Sequence, residues 1–137
     1  MIVLDASTVV SAALRQDSVP ERALFKARHH DLIAISSAVE AEMFDVLHRP
    51  KLARAVQPAQ RAYVLDLLIG AAARFTPTVR VHDCRDAKDN KYLELALAAG
   101  ATLIISSDND LLTLAPWRGI PILRPAEYLA LTAGRAG

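Results

Sequence analysis

The apolar positions of this chain fall into two kinds of run, and their alternation defines the fold class. Ile2-Val3-Leu4, Leu32 to Ile35 and Leu103-Ile104-Ile105 are short and continuously apolar, as strands buried on both faces are. Pro121-Ile122-Leu123 reads as a last short strand, and Val79-Arg80-Val81 as another. Between these runs the apolar residues recur at helical spacing. A helix is predicted from near Ser7, which can cap it, carrying Val9, Val10, Ala13 and Leu14 inward. Pro20 opens a second helix through Leu24, Phe25 and Ala27. Ser37-Ala-Val-Glu40 has the form of a capping box, for a helix that ends before Pro50. Pro58 opens a long helix bearing Tyr63, Val64, Leu67 and Leu68. Tyr92 to Ala99 is helical, with Gly100 placed to terminate it. A short helix carries Leu111, Leu112 and Leu114, and Pro125 opens a last one with Tyr128, Leu129 and Leu131. Residues 50–58 read as a loop between helices, and the tail from Ala133 to Gly137 as frayed.

Strands alternating with helices predict an α/β fold: a short, largely parallel sheet with helices on both faces, in one domain over residues 1–137. Composition agrees. Hydrophobic residues make up 53% of the chain, which excludes a disordered one, and they are mostly Ala, Val, Leu and Ile. No segment reaches the ~20 apolar residues of a membrane span. The first apolar run stops at Asp5, unlike that of a signal peptide. Cys84 is the single cysteine, so an intrachain disulfide is excluded and a reducing compartment is compatible. The expectation is a soluble cytoplasmic protein.

Charge changes the picture only locally. The net charge of +1 offers no global polycation. Twelve of the sixteen cations are Arg, the better match to phosphate. His48, Arg49, Lys51, Arg54 and Arg61 meet no acid between Asp45 and Asp66.

The acids carry the candidate chemistry. Asp5 closes the first strand, and Asp108 and Asp110 follow Leu103 to Ile105. Asp89 shares a helical stripe with Tyr92, Leu93 and Ala96. Strand ends and helix starts are where open parallel sheets hold their sites. Several acids there suit a hard divalent cation that activates water against a phosphodiester. Each acid also has a plainer role. Asp5 and one of Asp108 and Asp110 can cap helices, and Asp86 with Asp89 can form a capping box. Spacing does not choose between Asp108 and Asp110. Glu40 and Glu42 flank the stripe of Val39, Met43, Val46 and Leu47; the capping box occupies Glu40 and leaves Glu42 free. No dinucleotide, P-loop or zinc spacing is present. Ser7, Ser106 and Ser107 suit hydrogen-bonding support rather than nucleophilic attack. A non-catalytic interaction domain, its acids serving as caps, is one rival reading. A receiver-like phospho-acceptor is a weaker one, since it lacks an acid pair near the N-terminus and a late lysine.

The ordered segments, from Ile2-Val-Leu-Asp-Ala-Ser7 through Glu42 and His48-Arg-Pro-Lys51, continue with Arg85-Asp-Ala-Lys-Asp-Asn-Lys-Tyr-Leu93. Leu103-Ile-Ile-Ser-Ser-Asp-Asn-Asp-Leu-Leu112 and Ile120-Pro-Ile-Leu-Arg-Pro-Ala-Glu-Tyr-Leu129 complete them. Together they resemble the PIN-domain nucleases, in particular the toxins of VapC-like toxin–antitoxin pairs. The resemblance implies a PIN-like, Rossmann-like fold and a ribonuclease that uses Mg2+ or Mn2+. It places Asp5, Glu42, Asp89 and Asp108 at the four acid positions, with Asp110 as a supplementary metal ligand. Ser7 stands where relatives often carry Asn or Ser, and Ser106 where many carry Thr. The Asp86 to Asp89 segment departs from the branch in lacking its proline and extra acid, and Lys88 adds a cation. The resemblance also implies an RNA substrate, an antitoxin partner and a homodimer through the helices from Pro20 and Pro58. Arg49, Lys51 and Arg54 are candidates to hold the RNA backbone. A PIN nuclease that processes RNA or cuts structured DNA without being a toxin is the alternative within the family.

Overall fold

The computed structural model describes residues 1–131. The apolar runs become parallel strands: β1 (Ile2–Leu4), β2 (Ala34–Ile35), β4 (Leu103–Ile105) and β5 (Ile122–Leu123), with β3 at Ala73–Arg74. β1, β4 and β5 form one parallel sheet in that order, and β2 pairs parallel with β3. A parallel bridge between Ile2 and Ile33, with Ile2 N–H on Leu32 O at 2.8 Å, joins the two. The spatial order is therefore β3-β2-β1-β4-β5. From β1 the chain builds outward to β2 and β3, then returns to the other side for β4 and β5. The reversal lies between β1 and β4, and in open parallel sheets the crevice beyond such a point is where ligands bind.

The helices are α1 (Ala6–Leu14), α2 (Val19–His30), α3 (Ser37–His48), α4 (Pro50–Ala55) and α5 (Pro58–Ile69). After a 3-10 turn at Ala87–Asp89 come α6 (Asn90–Ala99), α7 (Asn109–Leu112) and α8 (Pro125–Leu129). α6 packs over β1 and β2, and its Tyr92, Leu93 and Ala96 are fully buried. α2 packs on α1, α5 and α8. Gly100 ends α6 in the left-handed conformation (φ 59°), which a residue without Cβ adopts freely.

Local details differ from the sequence expectation. Asp5, not Ser7, is the N-cap of α1. The α3 cap is Ser36, whose hydroxyl accepts from Val39 N–H, so the capping box starting at Ser37 is out of register by one residue. Glu40 is consequently free of the cap and pairs with Arg74 of β3 at 2.5 Å. Residues 50–55 form a helix, because Pro50 suits a first helical turn. Val79 to Val81 is not a strand. The Val81 N–H donates to the Glu94 carboxylate at 3.0 Å, and Val79 is exposed. The fifth strand is instead Ala73–Arg74, too short and too polar to show a pattern. The expected frayed tail lies outside the described residues.

Candidate metal centre

Leu4 stands opposite Ile105 in the β1–β4 pair, so the residues that follow, Asp5 and Ser106, meet. Asp5 is 1% exposed. Its Oδ1 accepts from Thr8 N–H at 3.1 Å and Thr8 Oγ1 at 3.0 Å, and its Oδ2 from Ser106 Oγ at 2.5 Å. Ser7 Oγ donates between both oxygens, 2.8 Å from each. The two serines also face the other way. Ser106 Oγ accepts from Asp108 N–H at 2.9 Å, and Ser7 Oγ accepts from Ser107 N–H at 3.1 Å. Two hydroxyls thus fasten the turn after β4 to the turn after β1. Burial raises the Asp5 carboxyl above its ordinary range, against hydrogen bonds that favour the carboxylate.

The remaining aspartates approach from two turns. Asp108 caps α7, its Oδ1 accepting from Asp110 N–H at 2.9 Å. Asp86 caps the 3-10 turn through Lys88 N–H at 3.1 Å, and Asp89 closes that turn. Oxygens of Asp86, Asp89 and Asp110 all lie within 4.8 Å of one another. The Asp89 carboxyl is pushed up to about 7, first by burial, then by Asp108 beside it, then by the charges of Asp86 and Asp5. Its Oδ2 is buried and meets no hydrogen-bond donor among the described residues. An orphaned carboxylate oxygen among repelling acids is the donor set that a hard divalent cation satisfies, so the residues fit Mg2+ or Mn2+.

Asp86 therefore joins the cluster, where the sequence offered it only as a capping partner. The signal was present in the spacing. In a 3-10 turn, positions i and i+3 lie above one another, which brings Asp86 and Asp89 to one side.

Glu42 reaches the same region from α3. Its Oε1 accepts from the Tyr92 hydroxyl and its Oε2 pairs with Lys91 Nζ at 3.0 Å. The Tyr92 hydroxyl in turn accepts from Ala6 N–H, next to Asp5, at 3.1 Å. Glu40 takes no part in this network. Behind the acids, Cys84 is buried; its thiol donates to Asp110 O at 3.5 Å and its N–H to Asn90 Oδ1 at 2.8 Å.

The candidate RNA-binding cations lie in a different setting. Arg49 pairs with Asp45 at 2.7 Å, while Lys51 and Arg54 are exposed on α4. Arg49 and Lys51 border a groove of about 430 Å3 lined by Val10, Leu14, Val46, Leu52 and Ala55.

Residues 1–110 match the family model described as PIN domain, and the chain belongs to that family. PIN domains are nucleases, and the acid cluster beyond β1 and β4 suits phosphodiester hydrolysis. No curated protein matches the chain. Among solved structures it is similar to PAE2754 from Pyrobaculum aerophilum, with a TM-score of 0.59 at 16% identity over 95% of this chain and 90% of that one. It is also similar to VapBC2 from Rickettsia felis, solved bound to a DNA fragment from their promoter. There the TM-score is 0.54 at 14% identity, over 90% of this chain and 98% of that one. At such identities the likeness shows the fold. Among the described residues no helix is long and apolar enough to cross a membrane.

Proposed function

We propose that this PIN domain is a metal-dependent endoribonuclease and the toxin of a toxin–antitoxin pair. The observation that carries the reading is the crowding of carboxylates at the reversal point of the sheet, with Asp89 raised to about 7 and one of its oxygens orphaned. Asp5, Asp89, Asp108 and Asp110, with Asp86 beside them, are the residues that would hold Mg2+ or Mn2+. Such an ion supplies a water of lowered pKa and a positive charge at the phosphoryl oxygens. The chain's own contribution is preorganisation. Ser7, Thr8 and Ser106 hold Asp5 in one orientation. Glu42, which caps no helix, completes the catalytic acids and would act on the same ion, its Oε1 joined through the Tyr92 hydroxyl to the Ala6 N–H beside Asp5.

RNA enters this reading through the family resemblance and through exposed Lys51 and Arg54, which with Arg49 offer sequence-blind contacts to a phosphate backbone. Selectivity would come from unpaired bases in loops or ends. The fold likeness to VapBC2 supports an antitoxin partner. A homodimer would use α2 and α5, where Phe25 and Tyr63 are exposed. Purified protein should cleave RNA with Mg2+ or Mn2+ and stop when EDTA is added; equal cleavage in EDTA would end the metal mechanism. Expression of the wild type should arrest growth, and expression of Asp5→Asn should not. Harmless expression of both, in a host lacking the antitoxin, would remove the toxin role and leave the nuclease one.

A further inference from the structure

We propose that the Tyr92 hydroxyl is a positioning group that fixes the Glu42 carboxylate against the start of α1, an inference that rests on the nuclease reading above. Tyr92 is fully buried and belongs to the hydrophobic core, as do Leu93 and Ala96 of α6. A phenylalanine would supply that packing. The hydroxyl does something the core does not need. It accepts from Ala6 N–H at 3.1 Å and donates to Glu42 Oε1.

The directions of these two bonds follow from the groups themselves. An amide N–H only donates, and an ionised carboxylate only accepts, so the single phenolic proton points at Glu42. Ala6 is the first residue of α1, and its N–H is one of the donors a helix start leaves without an intrahelical partner. Tyr92 relays that donor to Glu42 across residues that lie 86 and 50 positions apart in sequence. Lys91, its neighbour on α6, holds the other oxygen at 3.0 Å. One donor on each oxygen sets the rotation of the carboxylate as well as its place. Without the hydroxyl, only a flexible lysine stem would restrain it.

Supporting hydrogen bonds of this kind typically alter metal affinity or activity by about 10–100-fold when removed. The test compares wild type, Tyr92→Phe, Glu42→Gln and the double variant. Mn2+ affinity is read by electron paramagnetic resonance without RNA, and kcat and KM are read with RNA. Tyr92→Phe should weaken Mn2+ binding about tenfold and lower kcat comparably, with KM for RNA within about twofold. In the Glu42→Gln background the same substitution should change Mn2+ affinity by less than about twofold, because the carboxylate it positions is gone.

Wild-type Mn2+ affinity and kcat in Tyr92→Phe would overturn the proposal. So would an equal penalty in both backgrounds, which would mark the hydroxyl as structural only. A collapse of the Tyr92→Phe melting transition in EDTA would overturn it in the same sense. If the wild type cleaves no RNA, the nuclease reading fails and the Mn2+ cycle alone decides the role of Tyr92. If the wild type binds no Mn2+, both fail.

Discussion

Helix α1 links two surfaces of opposite chemistry. At its start, both oxygens of Asp5 are held by hydroxyl or amide donors, and four further aspartates, Asp86, Asp89, Asp108 and Asp110, crowd in from two other turns. About 12 Å away, at its other end, Leu14 is 49% exposed and joins Val10, Val46, Leu52 and Ala55 in a groove bordered by Arg49 and Lys51. Hydrogen bonds at the first surface fix directions, and the fold tolerates electrostatic repulsion to keep the acids together. Perturbed ionisation with rigid support is the combination that catalytic sites share. The second surface offers apolar area and long-stemmed cations, which bind by contact and charge without demanding one geometry.

The sharpest way to break the comparison is to neutralise the acid side. Asp5→Asn and Asp89→Asn should each lower RNA cleavage by roughly 10²–10³-fold, as removal of a transition-state electrostatic group does. Asp5→Asn should keep the metal-free melting temperature within a few degrees, because Asn caps helices as well as Asp does. Asp5→Ala should cost about 1 kcal/mol or more by chemical denaturation, since Thr8 N–H loses its acceptor. A large loss of stability in Asp5→Asn would return Asp5 to a purely structural role.

The two glutamates of α3 provide the next test. Glu42→Gln should reduce cleavage by about 10–100-fold. Glu40→Gln removes an ion pair with Arg74 that is partly solvated, and should change cleavage little and stability by less than about 1 kcal/mol. The reverse ranking would show that the network through Tyr92 does not serve catalysis.

The pH dependence sharpens the same contrast. Asp89 is raised from 3.8 to about 7 in the folded chain. Between those values the folded state keeps a proton that the unfolded state has released. Metal-free stability from this group is therefore greatest at low pH, and is lost as pH rises to about 7. Mn2+ competes with that proton, so its affinity should climb as pH approaches about 7 and level off above it. Melting and Mn2+ titrations at pH 5, 6, 7 and 8 would read both trends, and Asp89→Asn should flatten them. Parallel curves for wild type and Asp89→Asn would place the perturbation elsewhere.

The smallest effects belong to the groove side. Lys51→Ala and Arg54→Ala should weaken RNA binding by similar factors for all sequences and leave kcat unchanged. For single-stranded RNA, the slope of log affinity against log salt should fall by roughly 0.7 for each phosphate that the variant no longer neutralises. Unchanged binding and slope, measured by fluorescence anisotropy, would remove these cations from the RNA path.

Much of the frame was legible because it rests on local physics. Continuous apolar runs such as Leu103 to Ile105 have no stable place except a sheet covered on both faces, and Pro20, Pro58, Gly100 and Pro125 punctuate the helices through their own backbone limits. An acid at or just past the end of a buried strand must lie at the strand end of the sheet, so Asp5, directly after β1, and Asp108, two serines beyond β4, were visible as candidates. The caps were less legible. Ser36 and Ser37 are chemically identical, and only the φ, ψ angles at Ser36 decide which of them caps α3. The strand Ala73–Arg74 owes its existence to hydrogen bonds with β2, and two residues carry no periodicity.

By itself the sequence determined the alternation of strands and helices and the acids that follow the buried runs, because these depend on each residue and its near neighbours. Only the tertiary structure decided which acids share space. The register of β1 on β4 brings Ser106 onto Asp5 from 101 positions away. The 3-10 turn adds Asp86 to the cluster, and α6 turns a core tyrosine into the partner of Glu42. Charge, burial and hydrogen bonding act through distance in space, and that distance is set when the strands pair.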